Sequence, residues 1–224
     1  MAVFRLDEEL WFPDPHLGEP SGLVAVGGDL SADRLLLAYS NGFFPWYSFR
    51  DWDEPHWYCP LDRYVIFPNE IHISHSMRQL LRFDKYEVTI NKDFLGVIRG
   101  CATVQGRNEE EGAWLGPDII NAYTELNRQG FATSVEVWEQ ERLVGGLYGV
   151  CLRRAFFGES MFSLVPNASK LALICLALRM ETIGGHFIDC QFETPHFASM
   201  GGRHITYEQY MRILDSGNQD HKSI

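Results

Sequence analysis

Residues 156–170 read F-F-G-E-S-M-F-S-L-V-P-N-A-S-K, and after an apolar run and Gly184-Gly185, residues 186–192 read H-F-I-D-C-Q-F. The first part reads as a strand that carries one carboxylate, Glu159. A tight loop at Pro166-Asn167 follows, then a helix predicted over Ala168–Thr182, then a second strand over Phe187–Phe192. Side chains alternate along a strand, so Asp189 and Gln191 are expected on one face and Ile188 and Cys190 on the other. A strand–helix–strand unit of this kind sets a few polar groups on a sheet where a ligand can meet them.

Working back from this stretch, Ala132–Glu139 alternates Val135 and Val137 with Glu136 and Trp138. Arg142–Leu152 is a glycine-rich strand, and Ala155–Phe162 follows after Arg153-Arg154. Strands joined by such short turns are antiparallel. Upstream, helices are predicted over Asp118–Gln129 and Phe94–Cys101, a strand over Tyr86–Ile90, and a helix capped by Ser74 or Ser76 with Met77, Leu80 and Leu81 inward. The polar run Q-G-R-N-E-E-E-G from Gln105 reads as a loop. The order helix, helix, antiparallel strands, helix, strand resembles the acyltransferase sheet of the GNAT type.

Before Leu61-Asp62 the texture differs. Ser31 is a good N-cap for a helix to Ser40, with Leu35, Leu36 and Tyr39 apolar and Gly42 just past its end. Two aromatic clusters follow, G-F-F-P-W-Y-S and D-W-D-E-P-H-W-Y-C-P; Trp46 lies in the proline-containing loop of the first. The expected organisation is α+β. A small N-terminal domain occupies 1–61, and a GNAT-like domain with a mixed, mainly antiparallel sheet occupies 62–224.

Composition narrows the class. In 224 residues, 46% are hydrophobic and 22% charged, which suits a folded core rather than a disordered chain. The longest apolar run, Leu171–Leu178, is far below the roughly 20 residues that span a bilayer. The N-terminal segment carries acidic residues where a signal peptide is basic and then apolar, so a cytoplasmic protein is expected. Five scattered cysteines with no C-x-x-C pair indicate reduced thiols rather than a disulfide framework or zinc site. A net charge of −11 opposes indiscriminate binding to nucleic acid. Arg78, Arg82 and Lys85 would share one face if helical, which reads either as a local basic patch or as a solvated helix face.

The chemistry these residues permit is limited. S-L-V-P-N-A-S-K has no glycine for close backbone approach, and Pro166 has no N–H, so it is a poor cradle for the pyrophosphate of coenzyme A. G-E-S-M-F lacks the second glycine of G-x-S-x-G, because Phe162 stands there. His72 and His75 lack partners at metal spacing. Glu159, Asp189 and Gln191 remain as candidate pocket groups: a carboxylate suits a cationic acceptor, and a polarised amide can orient a nucleophile. The structural alternative is that Glu159 belongs to an ion pair and Asp189 caps a turn. Aminolysis of an ester needs little more than a free amine held at the carbonyl and donors for the oxyanion.

Nine stretches taken in order resemble the leucyl/phenylalanyl-tRNA–protein transferase family over residues 12–213: E-P-S-G-L-V-A-V-G-G-D-L-S, N-G-F-F-P-W-Y-S, I-H-I-S-H-S-M-R, E-G-A-W-L, S-V-E-V-W, L-V-G-G-L-Y-G-V, F-G-E-S-M-F-S, N-A-S-K-L-A-L and F-I-D-C-Q. The resemblance implies transfer of Leu or Phe, and weakly Met, from tRNA to the N-terminal Arg or Lys of a protein, marking it for degradation in the N-degron pathway. It implies no cofactor and no metal. Its partners are aminoacyl-tRNA (Leu-tRNA, Phe-tRNA) and acceptor proteins. From the sequence itself no membrane contact is expected, and a monomer is expected because nothing in it demands an oligomer. By the resemblance, Asp189 and Gln191 assist amine attack, with Asp189 polarising Gln191, and Glu159 holds the basic acceptor. Trp46, Trp114 and Tyr123 surround the terminal adenosine, and Leu147, Met161 and Phe162 line the side-chain pocket. Arg78, Arg82 and Lys85 face the tRNA stem. Thr133 and Gly116 depart from the family pattern. The rival readings are a coenzyme-A-dependent N-acetyltransferase and a non-catalytic tRNA- or peptide-binding module.

Overall fold

Ser31 accepts a hydrogen bond from the Arg34 N–H and so starts α1 (Ala32–Ser40), whose Leu35, Ala38 and Tyr39 are buried. This helix backs a small sheet of β1 (Phe4–Leu6), β2 (Leu23–Gly27), β3 (Phe44–Trp46) and β4 (His56–Tyr58), in the order β1-β2-β4-β3. In this computed structural model, the residues described are 2–46, 54–83, 85–105 and 115–216. Trp52, Trp114 and all of the polar run after Gln105 lie outside the described residues.

The second sheet has seven strands: β5 (Asp62–Ile66), β6 (Glu87–Ile90), β7 (Ala132–Glu139), β8 (Arg142–Leu152), β9 (Ala155–Ser163), β10 (Phe187–Gln191) and β11 (Arg203–Thr206). Their order is β11-β5-β10-β9-β8-β7-β6. From β6 to β9 all pairs are antiparallel. At the β8–β9 turn both Arg153 and Arg154 have positive φ, 49° and 66°, the backbone that a two-residue hairpin requires. After β9, α5 (Ala168–Thr182) crosses over and β10 returns parallel to β9. An antiparallel meander, a crossover helix and a parallel strand give the GNAT-like α+β arrangement.

The remaining helices are α2 (His75–Arg82), α3 (Phe94–Gln105), α4 (Pro117–Arg128), α6 (Pro195–Ser199) and α7 (Tyr207–Ser216). One buried cluster includes Val97 and Ile98 of α3, Ile119 and Tyr123 of α4, and Phe157 of β9, together with Leu35, Tyr39 and Trp57 of the N-terminal part. A second cluster gathers α5 residues with Ile66, Val135, Leu147 and Phe156. The large sheet thus has α3, α4 and the N-terminal layer on one side and α5 on the other.

Three expectations need correction. Leu81 is 36% exposed, because α2 is short and turns only Met77 fully inward. The helix from Phe94 continues past Cys101 to Gln105. Strict alternation in β10 fails: the register against β5 slips between Asp189 and Gln191, and Gln191 has φ +65°. The small strands β1, β3, β4 and β11, and helices α6 and α7, were not visible in the sequence pattern.

Candidate active site

The parallel pairing of β9 with β10 covers only Phe187↔Ala155, Ile188↔Phe156 and Asp189↔Phe157. Beyond these residues each strand carries an irregularity. On β9 the register against β8 passes from Gly149↔Gly158 to Tyr148↔Ser160, so Glu159 is the extra residue of a bulge. Gly149 permits this close approach: a Cβ there would lie 2.1 Å from the Phe157 carbonyl oxygen. A cavity of about 190 Å³ opens between Gly158–Met161 and Asp189–Gln191. Its apolar wall is Leu147, Phe156, Met161, Leu173, Ile188 and Phe197.

Glu159 is 8% exposed and faces away from that wall. Tyr39 of α1 donates to its Oε1 at 2.7 Å, and Tyr123 of α4 donates to its Oε2 at 2.8 Å. The two phenol oxygens are also in hydrogen-bond contact with each other. The Gln191 side-chain amide approaches Oε1 at 3.4 Å. Burial raises the Glu159 carboxyl, opposed by the two phenols, and leaves it at about 7. A carboxyl poised there is divided between its protonated and ionised forms near neutral pH, and a neighbouring cation favours the ionised form.

Asp189 is fully buried and saturated with donors. Arg63 Nε and Nη2 reach it at 2.9 and 2.6 Å, Tyr210 Oη at 2.9 Å, and the backbone N–H of Gln191 at 2.8 Å. Arg63 is itself 1% exposed and lies over the rings of Phe44 and Tyr210, at 4.7 and 5.0 Å. Burial works against its charge, but Asp189 outweighs that and raises its pKa. The contact between Asp189 and Gln191 is made through the main chain: Asp189 bonds the Gln191 N–H, and the side-chain amide turns to Glu159.

The other predicted residues divide. Leu147 and Met161 are cross-strand partners and line the cavity. Phe162 does not line it. Strand alternation turns this ring to the α3 side, where it fills the space above Gly100. Tyr123 is fully buried with its hydroxyl on Glu159, so it supports the carboxylate rather than offering a free ring to a base. Trp46 is 40% exposed and stands 5.9 Å from the Phe192 ring, next to Gln191. Trp114 is outside the described residues. Arg78 and Arg82 are exposed on α2, although Arg78 Nε donates to the Ile73 carbonyl. Lys85 lies past the helix end, 3.4 Å from Glu139 and over Tyr86, so the three cations do not form one helical stripe.

Tyr39, Arg63 and Tyr210 were missed by sequence reasoning. Tyr39 read as part of an apolar helix face. Arg63 did leave a signal: an arginine entering the strand Y-V-I needs a buried partner. At the N-terminus of α5, Ser163 Oγ accepts from the Ser169 N–H at 2.8 Å, which takes up a donor that a phosphate would use. Cys190 borders the cavity, but burial raises its thiol far above the range of a ready thiolate. Among the described residues no three His, Cys, Asp or Glu side chains are grouped to hold a metal ion.

A family model described as leucyl/phenylalanyl-tRNA protein transferase matches residues 65–215, and one for the N-terminal domain of that enzyme matches residues 28–61. A leucyl/phenylalanyl-tRNA–protein transferase of Syntrophobacter fumaroxidans is 48% identical over 96% of this chain and 90% of its own. Those of Thermodesulfovibrio yellowstonii and Edwardsiella ictaluri are 44% and 46% identical, over 98% and 96% of this chain and 88% and 87% of theirs. Likeness to solved structures is more distant, as with L-PGS from Bacillus licheniformis (TM-score 0.42, 14% identity, 74% of this chain and 53% of that one). With both of its parts matched by the two family models, the chain belongs to the leucyl/phenylalanyl-tRNA–protein transferase family.

Proposed function

We propose that this chain moves Leu or Phe, and weakly Met, from the 3′ ester of its tRNA to the α-amine of an N-terminal Arg or Lys. The observation that carries this reading is the cavity at the β9–β10 divergence. It joins an apolar wall of side-chain size to a buried carboxylate and an amide. The transferred side chain packs among Leu147, Met161 and Leu173. Glu159 accepts the cationic acceptor, and Gln191 orients its amine. Trp46 and Phe192 offer ring faces to the terminal adenosine, and Arg78 and Arg82 contact tRNA phosphates.

In the reaction the amine nitrogen attacks the ester carbonyl carbon and forms the new C–N bond. The C–O bond to the ribose then breaks, and the proton leaving nitrogen ends on the ribose oxygen. The products are a peptide bond and free tRNA, with the acceptor marked for degradation. Ester aminolysis is downhill, so positioning and charge placement supply the rate. The enzyme acts as a monomer in the cytoplasm; no helix among the described residues is long and apolar enough to cross a membrane.

The test is incubation with labelled Phe-tRNA or labelled acetyl-coenzyme A and a peptide beginning with Arg. Label is expected on the peptide from Phe-tRNA. Transfer from acetyl-coenzyme A with none from tRNA would overturn the reading.

A further inference from the structure

We propose that Arg63 and Tyr210 are positioning residues for transfer, and that Asp189 acts as their link to the main chain of Gln191 rather than as a proton relay. This rests on the proposed role of Gln191 at the reacting amine. The argument starts from the backbone. Gln191 sits at φ +65°, a left-handed conformation that glutamine adopts rarely and that a bulge alone does not fix. Its N–H no longer continues the β9–β10 ladder, which ends at Asp189↔Phe157. That N–H is bonded to Asp189 Oδ1 at 2.8 Å. The side chain of one residue therefore holds the backbone two residues further on.

Asp189 can do this only if it is itself immobile. A carboxylate accepts about four hydrogen bonds. Here Oδ1 receives Arg63 Nε and the Gln191 N–H, and Oδ2 receives Arg63 Nη2 and Tyr210 Oη. Each oxygen is occupied and the group is fully buried, which leaves no site on it for a substrate amine. Arg63 is held in turn against the rings of Phe44 and Tyr210. Tyr210 comes from α7 and Arg63 from β5, so these two elements converge on one carboxylate, and Phe44 of β3 packs against Arg63 behind it. At the far end, the Gln191 amide meets Glu159 Oε1. The two carboxylates thus have separate tasks: Glu159 meets the acceptor, and Asp189 fixes the peptide from which the amide projects.

The test compares Tyr210→Phe and Arg63→Lys with the unaltered chain, alone and combined with Gln191→Gly. Glycine takes the left-handed backbone without help and has no side chain to aim. Tyr210→Phe is expected to lower kcat roughly tenfold, the effect of one hydrogen bond to a charged group, with KM for both substrates and the shape of the pH profile unchanged. Arg63→Lys, which keeps the charge and loses the fork, is expected to lower kcat further. In the Gln191→Gly background, Tyr210→Phe should change kcat by less than about twofold, since the two act as one unit. Unchanged kcat in Tyr210→Phe, a change in KM alone, or the same tenfold loss in the Gln191→Gly background would each overturn the proposal. Amide exchange gives a readout independent of the donor substrate. The Gln191 N–H should exchange slowly in the unaltered chain and faster in Tyr210→Phe, and equal protection in the two would also overturn it.

Discussion

Replacing Glu159 by Gln should remove a loss of stability that the unaltered chain suffers as pH rises, and remove the carboxylate proposed to grip a cationic acceptor. The carboxyl is 8% exposed, and burial raises it from 4.5 to about 7 against the pull of Tyr39 and Tyr123. Between those two values the folded chain holds a proton that the unfolded chain has already lost, so stability falls as pH rises through this window. The loss is complete above 7, and none of it is present below 4.5. At 1.36 kcal/mol per pH unit, the rise corresponds to about 3 kcal/mol. Glutamine has no such proton to lose. Urea unfolding of both proteins at pH 4 and pH 8 should show Glu159→Gln gaining about 3 kcal/mol relative to the unaltered chain between the two pH values. A difference that is independent of pH, or that runs the other way, would refute the reasoning. The same titration governs binding. A carboxyl at about 7 is about one-tenth ionised at pH 6 and nine-tenths at pH 8. A peptide with a des-amino arginyl N-terminus keeps the guanidinium and lacks the attacking amine. As a competitive inhibitor it should bind about tenfold tighter at pH 8 than at pH 6, and Glu159→Gln should abolish that dependence.

Three other perturbations test separate parts of the molecule. Leu173→Phe adds bulk to the cavity wall and should cut kcat/KM for Phe transfer more than for Leu transfer; equal losses would show that the side chain packs elsewhere. Arg82→Glu should weaken tRNA binding and lower the slope of log K against log salt by about 1, read from binding isotherms at several salt concentrations. Gly149→Ala sets a Cβ 2.1 Å from the Phe157 carbonyl and should destabilise the fold by about 1–3 kcal/mol in urea unfolding; unchanged stability would show that the strands do not need this close approach.

The sequence exposed those parts of the fold that repeat. The meander from Ala132 to Ser163 alternates cleanly or is punctuated by turn residues, and the crossover helix from Ala168 is a long apolar run, so their bounds are met within a residue or so. The strands β1, β3, β4 and β11 have only three or four residues each, too few for a period to show. The C-terminal helix was missed although it supplies Tyr210, which reaches back to Asp189. At the site, Glu159, Asp189 and Gln191 stood out as polar groups in apolar strands. Their supports did not, because Tyr39 and Tyr210 look like core aromatics until their hydroxyls are placed. Phe162 was misread for the same reason in reverse: its neighbour Met161 faces the cavity, and the next residue of a strand must face away.

The two irregularities explain why the site lies where it does. A parallel pair with one extra residue in each strand cannot keep its ladder. Here the extra residues, Glu159 and Cys190, come just after the last shared pair, Asp189↔Phe157. Each strand still holds its outer neighbour: β9 pairs with β8 as far as Ser163, and β10 pairs with β5 as far as Gln191. The sheet therefore opens at one seam without coming apart. A ligand entering that seam meets both of its faces together. On the α5 side it finds Leu147, Met161 and Leu173, and on the other side Glu159 held by two tyrosines. Within one face of an intact sheet, an apolar side-chain pocket and a buried carboxylate would compete for the same positions. Divergence after a bulge lets one cavity border both the apolar wall and the buried carboxylate, which is the arrangement that the proposed transfer of an apolar aminoacyl group to a cationic acceptor would use.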